Sequence, residues 1–203
     1  MKKNKFSKNW VIKQKRDIYI KQSKIEGYRS RAVYKLQEIN EKFKFLKNGI
    51  SVVDLGAAPG SWSQFVARRF KNTKIVSIDL KEIEKIEKTY QIKGDFTDKL
   101  QQKKIIDYFA SKIDVVLSDM AVNTTGNKNV DSLVTGELSI EALNFSTNTL
   151  KKQGTFISKI FMGSSFNEIV DIAKKKFQEV HIFKPPASRK DSKENFIICK
   201  YLR

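Results

Sequence analysis

The stretch Ile50-Ser-Val-Val-Asp-Leu-Gly-Ala-Ala-Pro-Gly-Ser-Trp62 decides the fold. Its first half, Ile50 to Leu55, is a short apolar, β-branched run stopped by Gly56, the pattern of a strand buried on both faces of a parallel sheet. Its second half is a turn of small residues that lets the backbone approach a ligand closely, before a helix start with free N–H groups. A G-x-G-x-x-G loop cradles a pyrophosphate. This loop has only Gly56 and Gly60, with Pro59 between them, and no Walker-type Lys-Ser/Thr follows, so phosphate cradling is disfavoured.

Outward from that stretch, strands and helices alternate. Upstream, Val33, Leu36, Ile39 and Phe43 recur every three or four residues, which predicts an amphipathic helix from Arg31 to Phe45 ending before Asn48-Gly49. Downstream, helices are expected at Ser61–Phe70, Lys99–Ala110, Leu133–Leu150 and Asn167–Phe177. Further strands are expected at Lys74–Leu80, Tyr90–Ile92, Ile113–Ser118, Gly154–Phe161, Val180–Phe183 and Phe196–Tyr201. This alternation implies right-handed βαβ units in a doubly wound α/β sheet, whose ligands sit at the carboxyl ends of the strands. At the end of the second strand is Asp79, placed to accept hydrogen bonds from both ribose hydroxyls of an adenosine. Gly94-Asp95-Phe96 adds an acid suited to an adenine amino group or a neighbouring amide.

Composition narrows the chemistry. The 203 residues include one cysteine, Cys199, and one histidine, His181, too few for an intramolecular disulfide or a Cys/His zinc site, so no metal is expected. Nucleophilic catalysis needing histidine is disfavoured, His181 reads as structural, and the chemistry falls to Lys, Asp, Glu or a cofactor. No apolar run reaches the ~20 residues of a bilayer span, and the Lys-rich start lacks a signal-peptide core, so a cytoplasmic protein without membrane contact is expected.

Forty Lys and Arg against 22 Asp and Glu give a net charge of +18, which favours polyanionic partners. Half of it lies in Met1–Arg31, with 11 basic residues and two acids. We read residues 1–30 as a basic arm suited to a polyanion such as nucleic acid, and 31–203 as the domain that carries the chemistry. The alternative for the arm is a solubilising tail, against which Trp10 and Tyr19 argue, since both suit packing or stacking. Phosphate contacts are expected from Lys13, Lys15, Arg16, Lys21, Lys24, Arg29 and Arg31, and from Arg189 and Lys190 within a second basic segment, Lys184–Lys193. Such contacts give affinity and salt dependence without reading sequence.

Five blocks in order, GYRSRAVYKLQEI, VVDLGAAPGSWSQ, LSDMAVNTTG, ISKIFMG and SRKDSKENF, together with SIDL and GDF, cover nearly the whole chain from Tyr28. Their run resembles the FtsJ family of RNA ribose 2′-O-methyltransferases. The resemblance implies a Rossmann-like, mostly parallel seven-stranded sheet with helices on both faces. It also implies S-adenosylmethionine as cofactor, held by the loop from Gly56 through Gly60 to Trp62 and by Asp79, Asp95 and Asp119. Trp62 is equally readable as a core residue. The family's catalytic Lys-Asp-Lys-Glu set maps onto Lys35, Asp119, Lys159 and Glu194.

A ribose hydroxyl has a pKa of roughly 12 to 13, so its attack on a sulfonium methyl benefits from a base and a fixed in-line geometry. Lys159, which interrupts an apolar strand, is the candidate base. It could equally begin as an ammonium that orients the hydroxyl and loses its proton late. Lys35 is assigned to steering ribose or phosphate, Asp119 to holding Lys159, and Glu194 to orienting the lysines. Three departures from the family pattern, Ser61 for glycine, Val122 for proline and Phe196 for tyrosine, remove no charge and are expected to alter loop geometry slightly.

By the same resemblance the substrate is a uridine in the A loop of large-subunit ribosomal RNA, modified on the assembled subunit by a monomer. A transfer-RNA or cap ribose is the alternative within the family. An inactive RNA-binding relative would not need all four charged residues, and a nicotinamide oxidoreductase lacks its phosphate fingerprint.

Overall fold

A computed structural model describes residues 17–120, 128–163 and 165–203, the side chains of 128–132 excepted. Its strands are β1 (Ser51–Leu55), β2 (Lys74–Asp79), β3 (Thr89–Lys93), β4 (Ile113–Ser118), β5 (Leu150–Phe161), β6 (Phe177–Phe183) and β7 (Glu194–Leu202). They form one sheet in the order β3-β2-β1-β4-β5-β7-β6. The first five run parallel, and β7 is antiparallel to both β5 and β6. Strand order reverses between β1 and β4, which places the crevice of an open α/β sheet beside the glycine loop.

The described helices are α1 (Ile18–Ile25), α2 (Ala32–Phe43), α3 (Ser61–Arg69), α4 (Lys99–Phe109), α5 (Lys128–Thr149) and α6 (Phe166–Lys176). They cover both faces of the sheet. On one face Val33, Leu36 and Ile39 of α2 join Phe65 and Val66 of α3 over Val52, Leu117 and Ile157. On the other, Ile105, Leu143 and Ile169 from α4, α5 and α6 lie over Val53, Val76, Val116 and Phe156. Leu36 and Ile39 are fully buried, so truncating either to alanine costs about 2–5 kcal/mol.

Several boundaries differ from the sequence expectation. The helix α1 falls inside the stretch read as an arm. Only Ser23 is buried along it, so it carries no apolar stripe to betray it. Asp17 caps it, accepting the Tyr19 N–H at 3.1 Å, and the Tyr19 ring packs 5.3 Å from that of Tyr34. Strand β5 starts at Leu150, four residues before Gly154, because a register shift between Ile113 and Val115 on β4 admits the exposed Lys151, Lys152 and Gln153. Helix α5 begins at Lys128 ahead of Leu133, over polar residues that show no apolar period, and β6 begins at Phe177 ahead of Val180. Among the described residues no helix is long and apolar enough to cross a membrane.

Candidate active site

The glycine loop leaves β1 under tight steric control. Gly56 has φ +71°, and a Cβ there would lie 2.4 Å from Met120 Cγ and 3.0 Å from its Cα, so only glycine fits without moving main chain. Gly60, at φ +103°, is the N-cap of α3 and has no side chain with which to cap it. From below, Asp54 accepts hydrogen bonds from the Ser63 N–H (3.0 Å) and hydroxyl (2.6 Å), and the Ser63 hydroxyl lies 2.6 Å from that of Ser77. Burial pushes the Asp54 carboxyl up to about 7, against the Ser63 hydrogen bonds that favour its ionised form.

Asp79 ends β2 with both oxygens engaged. Oδ2 accepts the Ala58 N–H at 3.0 Å and Oδ1 the Lys81 N–H at 2.8 Å, so the acid braces the glycine loop. Each oxygen keeps lone-pair capacity for a ribose hydroxyl. Asp95, exposed after β3, accepts the N–H and hydroxyl of Thr97 on Oδ1. Asp119 ends β4, and its N–H donates to Leu55 O at 3.3 Å, which ties it to the start of the loop. Consecutive strand ends thus present acids around small-residue backbone, a donor and acceptor set suited to a nucleoside.

Lys159, near the end of β5, is 7% exposed. Its Nζ donates to Asp119 Oδ1 at 2.8 Å and to the Asp119 carbonyl at 2.7 Å. Lys35 of α2 lies 2.9 Å from both oxygens of Glu194, the first residue of β7, and Glu194 Oε1 also accepts from the Ser188 hydroxyl at 2.7 Å. Burial works against the Lys35 ammonium, but the nearby Asp119 and then Glu194 outweigh it and raise its pKa. Burial likewise works against the Asp119 carboxylate. Lys159 and then Lys35 prevail and hold it below the usual carboxylate range. The four residues therefore make an alternating row of charges. His181 takes no part: it sits on β6 near Glu179 and Phe43.

Two expected contacts have structural bonds as well. Trp62 is buried, its indole N–H donating to Ala32 O at 2.7 Å and its ring packed 5.9 Å from Phe196, so its side chain is a core strut and only its main chain is left to the loop. Arg29, expected on phosphate, is tied to main chain. Its guanidinium donates to the carbonyls of Pro59 (3.0 Å), Glu84 (2.8 Å) and Lys85 (2.9 Å), joining the glycine loop to the β2–β3 connection. Three main-chain carbonyls thus claim that cation.

Lys21, Lys24 and Lys190 are exposed, whereas Arg31 and Arg189 approach Asp17. Lys13, Lys15 and Arg16, like Trp10 and Val122, lie outside the described residues. Of the departures from the family pattern, Ser61 places its hydroxyl 2.7 Å from that of Ser30, and Phe196 is fully buried with the Lys35 ammonium 5.8 Å from its ring.

Sequence reasoning missed three supports: Asp17, Ser188 and Gln91. Gln91 holds the β2–β3 connection by bonds to Ile83 O, Glu84 O and the Ile86 N–H. Ser188 was visible only as a member of the SRKDSKENF block. Gln91 matches no motif, and Asp17 precedes a helix that no apolar stripe marks.

The chain is 65% identical over its full length to ribosomal RNA large subunit methyltransferase E of Pelagibacter ubique, also covered completely. Against the protein of that name from Rickettsia bellii it is 44% identical, covering 95% of this chain and 88% of the relative. Among solved structures, a Plasmodium falciparum protein crystallised as a candidate ribosomal RNA methyltransferase superposes with a TM-score of 0.77 at 34% identity, over 86% of this chain and 98% of that one. A TehB-like SAM-dependent methyltransferase from Corynebacterium glutamicum, 14% identical with a TM-score of 0.57, shares the fold over 95% of this chain and 96% of its own. The FtsJ-like methyltransferase family model matches residues 28–202, so the chain, with this sheet and this row of charges, belongs to that family.

Proposed function

We propose that the chain transfers a methyl group from S-adenosylmethionine to a ribose 2′-hydroxyl of large-subunit ribosomal RNA, at a uridine of the A loop. The observation that carries this reading is the alternating row Lys159, Asp119, Lys35 and Glu194 beside a glycine loop ringed by acids. The relatives named as large-subunit ribosomal RNA methyltransferases match over nearly all of this chain, which supports the substrate class.

The residues present fit the cofactor. Gly56 and Gly60 let the loop pack tightly on Met120 and on Arg29, Ile83 and Ile86, which fixes its course beside the acids, Asp79 offers acceptors for ribose hydroxyls, and the ionised Asp119 suits a neighbouring cation. Bound there, S-adenosylmethionine supplies an electrophilic methyl on a sulfonium. The chain's own work is to orient the acceptor hydroxyl and to move its proton. Asp119 fixes the Lys159 amine by two hydrogen bonds, which leaves a third amine position for the ribose oxygen. With one ammonium proton first released to solvent, the Lys159 amine keeps both hydrogen bonds to Asp119 and takes the hydroxyl proton on its lone pair as the oxygen becomes nucleophilic. Glu194, itself fixed by the Ser188 hydroxyl, holds the Lys35 ammonium, whose charge favours the developing alkoxide and a nearby phosphate.

Ribose methylation mapped in ribosomal and transfer RNA, from cells with and without this chain, tests the proposal. Loss of one mark at an A-loop uridine is the expected result. Loss confined to transfer RNA would overturn the substrate.

A further inference from the structure

Beside the Lys35–Glu194 pair lies a cavity of about 480 Å³ whose wall includes Ser30, Arg31, Lys35, Arg189, Asp191 and Glu194. Two guanidinium groups meet there on one carboxylate oxygen. Arg31 Nη1 donates to Asp17 Oδ2, and Arg189 Nε stands 3.8 Å from the same atom. The rest of Arg31 is fixed in place, with Nη2 donating to Ala187 O and the guanidinium 5.3 Å from the centre of the Tyr19 ring. Its Nε is different: among the described residues it is the buried side-chain nitrogen or oxygen with no hydrogen-bond partner. Only one Asp17 oxygen serves the two arginines, because its Oδ1 accepts the Tyr19 N–H that caps α1.

We propose that Asp17 is an internal stand-in for an RNA phosphodiester at the Arg31–Arg189 pair, and that RNA displaces it on binding. The proposal rests on the reading of the chain as an RNA methyltransferase and adds a phosphate subsite to it. A phosphodiester carries one negative charge and two non-bridging oxygens, so it replaces the Asp17 charge and meets Arg31 Nη1 and Arg189 Nε with one oxygen each. Asp17 is a removable occupant, since it caps an eight-residue helix on which only Ser23 is buried. Its tether makes it a competitor at high effective concentration. Isolated phosphates are excluded, whereas a polyanion making several contacts displaces it. The subsite adjoins Lys35, so the phosphate it holds belongs to the nucleotides around the target ribose.

The test is the binding of a fluorescently labelled oligouridylate to the full chain, followed by anisotropy at fixed salt. Asp17→Ser retains a hydroxyl to cap α1 and removes the charge, and Asp17→Asn retains an oxygen acceptor. Both should bind roughly tenfold more tightly than the parent, because the competent site is no longer self-occupied. Arg189→Gln should weaken binding, and in the Asp17→Ser background it should erase most of the gain. Equal or weaker binding by both Asp17 variants overturns the proposal. Methyl transfer to undermethylated large subunits, run in parallel, separates it from the functional reading. A gain in oligouridylate binding with no methyl transfer leaves the phosphate subsite standing and removes the proposed function.

Discussion

Lys159 directs two hydrogen bonds at a single residue: its Nζ lies 2.7 Å from the Asp119 main-chain carbonyl and 2.8 Å from Asp119 Oδ1. The carbonyl belongs to the backbone at the end of β4 and the lysine to β5. Because the two strands are hydrogen-bonded neighbours, the sheet itself sets where the amine points. Asp119→Asn keeps an oxygen acceptor but removes the charge opposite a nearly buried ammonium. We expect a loss of about 1–3 kcal/mol in urea unfolding and a larger proportional loss in methyl transfer. Wild-type stability in this variant would mean that the pair is not electrostatically coupled.

Asp79→Ala removes the acceptor shared by the Ala58 and Lys81 N–H groups as well as the lone pairs offered to a ribose. Calorimetry with S-adenosylmethionine should show affinity weaker by about 1–3 kcal/mol. Unchanged affinity would move the cofactor elsewhere.

Arg29 separates two readings of one cation. As a brace of the glycine loop, Arg29→Gln should weaken cofactor binding and leave the salt dependence of RNA binding unaltered. As a phosphate ligand it would lower the slope of log affinity against log salt by about one. Salt titrations of the variant and the parent distinguish the outcomes.

Asp54 gives a pH signature. Its folded value of about 7 lies above its ordinary 3.8, so between these limits the native state binds more protons than the unfolded state. Stability therefore falls as pH rises through that window and levels off above it, with a total effect of order a few kcal/mol. Asp119, whose value is lowered, works the other way: its contribution is present above the ordinary carboxylate range and is lost as pH falls through its folded value. Urea unfolding of the parent and Asp54→Asn at pH 4.5 and pH 8 should show a steeper decline in the parent. Parallel changes would place the Asp54 carboxyl in its ordinary range.

The sheet was legible because its strands are short β-branched runs ending in glycine or aspartate, and the helices over it show clean apolar periods, as Val33, Leu36 and Ile39 do. The four charged residues were legible through the order of their motifs. Hidden from the sequence were relationships between distant residues that local pattern does not encode. Nothing near Arg29 shows that Pro59, Glu84 and Lys85 claim its guanidinium. Likewise, Trp62 sits in a loop motif that reads as ligand-facing, yet the Ala32 carbonyl and Phe196 ring draw its side chain inward. Helix α1 escaped notice because its stability comes from the Asp17 cap and from Tyr19 on Tyr34, with no apolar stripe to mark it.

The central claim is that the Lys159 amine takes the ribose proton, and single-turnover methyl transfer to undermethylated large subunits by Lys159→Ala and Lys159→Arg tests it most directly. Arginine keeps the charge opposite Asp119 but cannot act as a base near neutral pH. The account predicts that both variants lose the transfer rate by ~100-fold or more while cofactor and RNA affinities, measured alongside, stay close to the parent. Near-parental rates in the arginine variant would contradict it, reducing Lys159 to a positioning charge and leaving the hydroxyl proton to another acceptor.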